Sequence, residues 1–164
     1  VAFSIIALGA NLPGRFASPA DSLEAALSAV AGDGARLIAR SRLYRSPAWP
    51  DPADPEFVNA AGLFETTLSP SALLIGLHGI EAAFGRTRLR PNAPRPLDLD
   101  IVDYAGLVSA PGETPVLPHP RLHERAFVLL PMAEIVPDWR HPVTGRSIGD
   151  LIASLPDRAA ATPL

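Results

Sequence analysis

The sequence contains no cysteine and no lysine. Without cysteine there is no disulfide framework, no thiolate metal site and no thiol nucleophile. Without lysine there is no G-x-x-x-x-G-K-[ST] phosphate loop, so a P-loop enzyme is excluded. Aromatic residues are only 6% of the chain, which leaves little for base stacking along a nucleic acid. No apolar run reaches the roughly 20 residues of a membrane span. The start, VAFSIIALGANLPG, has no basic leader and reads as a buried strand, so a cytoplasmic location is expected. All 14 cationic side chains are arginines, and 17 acids give a net charge of -3, which argues against a generic nucleic-acid coat.

What is abundant is apolar residue and proline: 48% of the 164 residues are hydrophobic and 19 are proline. That composition reads as one globular domain with long, proline-stiffened loops. A strand over 1–8 breaks at Gly9 and Asn11. Ser18-Pro19, with Asp21 three residues after the serine, opens a helix carrying Leu23, Leu27 and Val30. Residues 35–45 read as one strand, 46–55 as a loop and 57–67 as another strand. Ser69-Pro70 opens a second helix, which Gly85 ends. Residues 97–104 are strand-like, a short helix lies within 124–135 around Pro131, and Ser147 to Asp150 caps a last one. The order predicts an α+β fold: a ferredoxin-like antiparallel sheet (split βαβ) with helices on one face and long loops. Residues 1–157 would be a single domain and 158–164 a loose tail.

Leu97-Asp98-Leu99-Asp100-Ile101 carries the most chemistry. On a strand the three apolar residues face one way, and Asp98 and Asp100 stand side by side on the other. Two such carboxylates repel; they are either solvated at a surface or joined by a hard cation such as Mg²⁺. Upstream lie Arg86, Arg88, Arg90 and Arg95, with no acid between Glu81 and Asp98. Guanidinium forks beside a carboxylate pair suit phosphoryl transfer. RNA binding could use the same arginines, and another metal-dependent phosphoryl transferase would show the same pattern. His119 and Arg125 form a second small basic cluster, and Asn59 places an amide within a strand. Phe57, Phe127 and Trp49 fit either core packing or the cover of a flat ligand.

These residues stand in an order that resembles the 6-hydroxymethyl-7,8-dihydropterin pyrophosphokinases of folate synthesis. The resemblance rests on Gly9-Ala10-Asn11-Leu12, Tyr44-Arg45-Ser46-Pro47, Phe57-Val58-Asn59-Ala60-Ala61, Gly85-Arg86-Thr87-Arg88, Pro94 to Ile101, Pro118-His119-Pro120 and Arg125 to Leu129. It implies transfer of pyrophosphate from ATP, the cosubstrate, to the hydroxymethyl oxygen of the reduced pterin, releasing AMP. It implies that Asp98 and Asp100 hold two Mg²⁺ ions. Arg86 and Arg95 would clamp phosphates as catalytic residues, and Arg88, Ile101, His119 and Arg125 would add ATP contacts. Ser46, Pro47, Ala48, Phe57, Asn59 and Phe127 would hold the pterin. Loops 48–56 and 86–96 would act as lids. The expected partners are these small molecules, with no nucleic acid and no membrane, and the expected state is a monomer. The chain departs from the family pattern at Ala10, at Trp49-Pro50, at Asn92-Ala93 and at Pro96.

Overall fold

The structure, a computed structural model, describes residues 1–32, 34–87 and 93–164. The chain runs β1 (Ala2–Ala10), α1 (Pro19–Ala31), β2 (Ala35–Arg40), β3 (Tyr44–Ser46), β4 (Phe57–Thr66), α2 (Pro70–Ala83), β5 (Asp98–Tyr104), α3 (Ala126–Ile135), α4 (Ile148–Ala153) and β6 (Thr162–Pro163). Single 3₁₀ turns occupy Leu122–Glu124 and Arg158–Ala160.

The sheet order is β5-β1-β4-β3-β6, with β2 also on β4. β1 pairs antiparallel with both β4 and β5. Taking β2 and β3 as one interrupted edge, this is the ferredoxin-like order reached by two interleaved βαβ crossovers. The helix starts obey their local signals. Ser18, Ser69 and Ser147 each accept a hydrogen bond from the backbone N–H three residues on, and proline comes directly after the first two.

The expected single strand over 35–45 is broken. Its pairing with β4 shifts between Leu37 and Ala39, and Ser41 takes over the ladder with its side chain. Ser41 Oγ accepts from the Ala61 N–H at 3.0 Å, while the Ser41 N–H donates to the Ala61 carbonyl at 2.9 Å. The kink re-aims the chain so that Tyr44–Ser46 pair with Phe57–Asn59, at the strand end where the site lies.

Helices cover both faces of the sheet, not one. Ile6, Leu8, Leu99 and Ile101 pack with Leu23, Leu27, Leu73 and Leu77 of α1 and α2. Ile5, Ala61 and Val102 pack on the other face with Val128, Leu129 and Met132 of α3 and Leu151 of α4. Buried apolar residues on both faces of β1 and β5 require two covering layers. Residues 158–164 are not loose. Thr162 and Pro163 pair with Arg45 and Tyr44, the Leu164 N–H donates to the Leu43 carbonyl at 3.0 Å, and Ala161 is 3% exposed against Tyr44 and Ala126. Among the described residues no helix is long and apolar enough to cross a membrane.

Candidate active site

Strand register builds the floor of the site. Gly9 on β1 lies opposite Asn59 on β4 and Asp98 on β5, and Ala7 lies opposite Ala61 and Asp100. Directly opposed residues share a face of the sheet. A carboxylate and an amide therefore stand two strands apart, roughly 10 Å, with only a glycine between them. A Cβ on Gly9 would stand 3.4 Å from Asn59 Oδ1 and 3.9 Å from the Phe57 ring. Above this floor is a cavity of about 440 Å³ that reaches the start of α3.

One end of the cavity is charged. Asp98 and Asp100 line it, with Arg95, Arg121 and Arg125. Asp98 Oδ2 accepts from Arg95 Nη2 at 3.4 Å, and Asp98 Oδ1 from Arg86 Nη1 at 2.6 Å. Burial, then the adjacent charge of Asp98, push the Asp100 carboxyl up to about 7. Two adjacent carboxyls, Asp100 resisting ionisation, beside open space are a donor set that suits a divalent cation with oxygen preference. Arg95 Nε is buried with no hydrogen-bond partner among the described residues, and the side chain as a whole lines the cavity, placing a guanidinium beside the aspartates.

Across Gly9 from the aspartates, the residues around the Asn59 amide are mostly apolar. Asn59 is 3% exposed, and its Nδ2 donates to Ser46 Oγ at 2.8 Å. Pro47, Ala48, Phe57 and Phe127 line the same space. The Arg95 guanidinium lies 5.1 Å from the Phe57 ring centre and that of Arg125 lies 5.4 Å from Phe127. Each ring thus carries a cation over it, a favourable arrangement in itself.

The remaining expected residues lie elsewhere. Arg86 stands behind Asp98, 14% exposed, with its Nη1 also 2.7 Å from Glu81 Oε2. Ile101 points into the core between the sheet and α1/α2. His119 lines a second cavity of about 340 Å³ with His123 and His141. Its Nδ1 accepts from the Arg121 N–H at 3.1 Å, and burial, then the Arg125 cation, hold its pKa down to about 4. Arg88 and Asn92 lie outside the described residues.

Three contributors are not among the residues expected from the sequence. Arg121 packs over the exposed Trp49 ring at 5.4 Å and pairs with Glu124 at 3.1 Å, so it links loop 48–56 to the 121–124 turn. Asn11 ties two loops together: its Nδ2 donates to the Pro55 carbonyl at 3.0 Å, and its Oδ1 accepts from the Arg95 N–H at 2.8 Å. The segment from Leu155 to Ala160 lines the cavity although it is distant in sequence. The basic run His119 to Arg125 is a signal for Arg121; nothing local signals the other two.

Similarity to known proteins points the same way. The family model of 7,8-dihydro-6-hydroxymethylpterin-pyrophosphokinase (HPPK) matches residues 5–137. A Methylorubrum extorquens protein named 2-amino-4-hydroxy-6-hydroxymethyldihydropteridine pyrophosphokinase is 40% identical over 150 residues, covering 92% of this chain and 91% of its own length. The Folic acid synthesis protein fol1 of Pneumocystis carinii is 38% identical over 152 residues, covering 93% of this chain and 20% of its own. The crystal structure of Plasmodium falciparum HPPK-DHPS wild type shares the fold, with a TM-score of 0.69 at 14% identity over 93% of this chain and 44% of that one. With a family model spanning most of its length and a relative matched nearly end to end, the chain belongs to the 7,8-dihydro-6-hydroxymethylpterin-pyrophosphokinase family.

Proposed function

We propose that this chain transfers a pyrophosphoryl group from ATP to the hydroxymethyl oxygen of 6-hydroxymethyl-7,8-dihydropterin and releases AMP. One observation carries the reading: the Asp98 and Asp100 pair and the Asn59 amide share one face of the sheet, separated only by Gly9. That spacing lets a flat acceptor lie at one end with its hydroxymethyl group directed at the other.

The chain's residues divide the work by chemistry. Asn59 and Ser46 offer an amide and a hydroxyl to the polar edge of the heterocycle, and Phe57 and Phe127 offer rings to its faces. Arg95 and Arg125, which line the charged end, meet phosphate oxygens there. Asp98 and Asp100 would hold Mg²⁺, two ions in this reading, whose chemistry is to neutralise the triphosphate and make the β-phosphorus more electrophilic. In the transfer the acceptor oxygen forms a bond to the β-phosphorus as the bond from that phosphorus to the bridging oxygen of AMP breaks. The electron pair leaves with AMP and the hydroxyl proton is lost to solvent. Loop 48–56 borders the cavity through Ala48 and Trp49, where it can exclude the water that competes as acceptor.

The Mg²⁺ assignment is tested by calorimetry of ATP binding with and without Mg²⁺. The expected result is a large Mg²⁺-dependent gain in affinity that disappears in Asp98→Asn and in Asp100→Asn. Equal ATP affinity with and without the ion would contradict it.

A further inference from the structure

The family match ends at residue 137, yet the cavity does not. We propose that the segment Leu155–Ala160 is a specificity wall for the acceptor, bounding the cavity beside Ser46 and Phe127. The proposal rests on the function proposed for this site.

Placement is the first argument. Leu155, Pro156, Asp157 and Ala160 line the cavity together with Ser46 and Phe127. Leu155 and Ala160 also pack in one apolar cluster with Phe127 and Tyr44. Anchoring is the second. The segment is held in place by its own turn and by the last residues of the chain. Asp157 Oδ1 accepts from the Ala159 N–H at 2.9 Å, and Ala161 is buried between Tyr44 and Ala126. Beyond it, Thr162 and Pro163 pair with Arg45 and Tyr44 on β3, and Leu164 with Leu43. These contacts run to β3, which carries Ser46, and to the start of α3, which carries Phe127. None of them runs to β5 and its two aspartates. The wall is therefore coupled to the groups that would read the heterocycle and not to those that would hold the phosphates.

Leu155 and Pro156 give the wall apolar side chains suited to a ring, Asp157 adds one carboxylate, and Ala160 presents only a methyl group to the cavity. Length added at 160 must then compete with the acceptor for volume. A wall that only stabilised the fold would not distinguish the two substrates.

The test compares the wild-type protein with Ala160→Phe, which fills the space, and Leu155→Ala, which enlarges it. Pterin and MgATP affinities are measured separately by calorimetry, and folding is checked by thermal denaturation. Ala160 is half-buried at the edge of its apolar cluster, and Leu155→Ala tests the wall without adding volume there. The expected result is at least a tenfold loss of pterin affinity in Ala160→Phe, a smaller loss in Leu155→Ala, and MgATP affinity within twofold of wild type in both. Unchanged pterin affinity in both variants would overturn the wall, as would parallel losses for both ligands. If the wild-type protein itself binds no pterin, the functional reading fails and the wall falls with it; if it binds pterin and the variants match it, only the wall fails.

Discussion

Arg86 grips Asp98 from behind: its Nη1 lies 2.6 Å from Asp98 Oδ1 while the same nitrogen lies 2.7 Å from Glu81 Oε2. One partly buried guanidinium thus neutralises two carboxylates, and the second oxygen of Asp98 is left to Arg95 and to the cavity. Asp98 is the better compensated of the aspartate pair. Asp100, raised to about 7 by burial and then by Asp98, carries the electrostatic tension of the site.

Removing the charge of Asp98 should relieve that tension. In Asp98→Asn the Asp100 carboxyl is expected to titrate at lower pH than in wild type, as read by ¹³C NMR of the side-chain carboxyl. An unchanged midpoint would mean that burial alone sets the value.

Glu81 is 2% exposed on a helix face that is otherwise apolar. Its Oε2 accepts from the Leu99 N–H at 2.8 Å as well as from Arg86, so it fixes β5 against α2. Glu81→Ala leaves the Leu99 N–H without this acceptor and the partly buried Arg86 with Asp98 alone, and the expected loss of stability is roughly 1.5–3 kcal/mol. Glu81→Gln retains an acceptor for the Leu99 N–H and should lose less. Urea denaturation of both variants checks this, and a loss below about 1 kcal/mol in the alanine variant would contradict the assignment.

Asn11 links the ends of two loops that border the cavity, through Pro55 and Arg95. Asn11→Ala should therefore speed amide exchange around residues 54–57 and 93–96 together, while the α1/α2 core stays protected. Faster exchange in one loop alone would show that Asn11 anchors that loop and does not couple the two.

His119 sets a pH dependence. Its folded pKa of about 4 lies below the ordinary 6.5, so the fold favours the neutral ring. Its contribution to stability is complete above about pH 6.5 and is lost as pH falls toward 4, because the unfolded chain takes up the proton first. His119→Gln, which cannot take up the proton, should show a shallower fall of stability across that window in chemical denaturation. Identical slopes would contradict the burial of a neutral His119.

The fold and the site are legible in the sequence where the information is local. The alternation from Leu97 to Ile101 assigns three apolar residues to the core and two aspartates to the opposite face, as observed. Ser18, Ser69 and Ser147 mark helix starts through their own side chains. What stays hidden depends on distant partners. The break at Ser41 arises because that side chain bonds to Ala61 on a neighbouring strand. The second helical layer is hard to foresee because α3 is apolar nearly all round, Pro131 included, and so carries no one-sided stripe to read. The alanine-rich C-terminus reads as unanchored because its partners, Leu43, Tyr44 and Arg45, lie over a hundred residues away. For the site itself, residue chemistry marks the charged end; Gly9 as floor and Asn11 as tie emerge only from strand register and loop contacts.

The most direct test is the identity of the products. The protein is incubated with MgATP and 6-hydroxymethyl-7,8-dihydropterin, and nucleotides and pterins are resolved by chromatography. The account predicts AMP and pterin diphosphate in equal amounts, with neither formed by Asp100→Ala or without Mg²⁺. Formation of ADP or of free pyrophosphate, with the pterin unchanged, would contradict it.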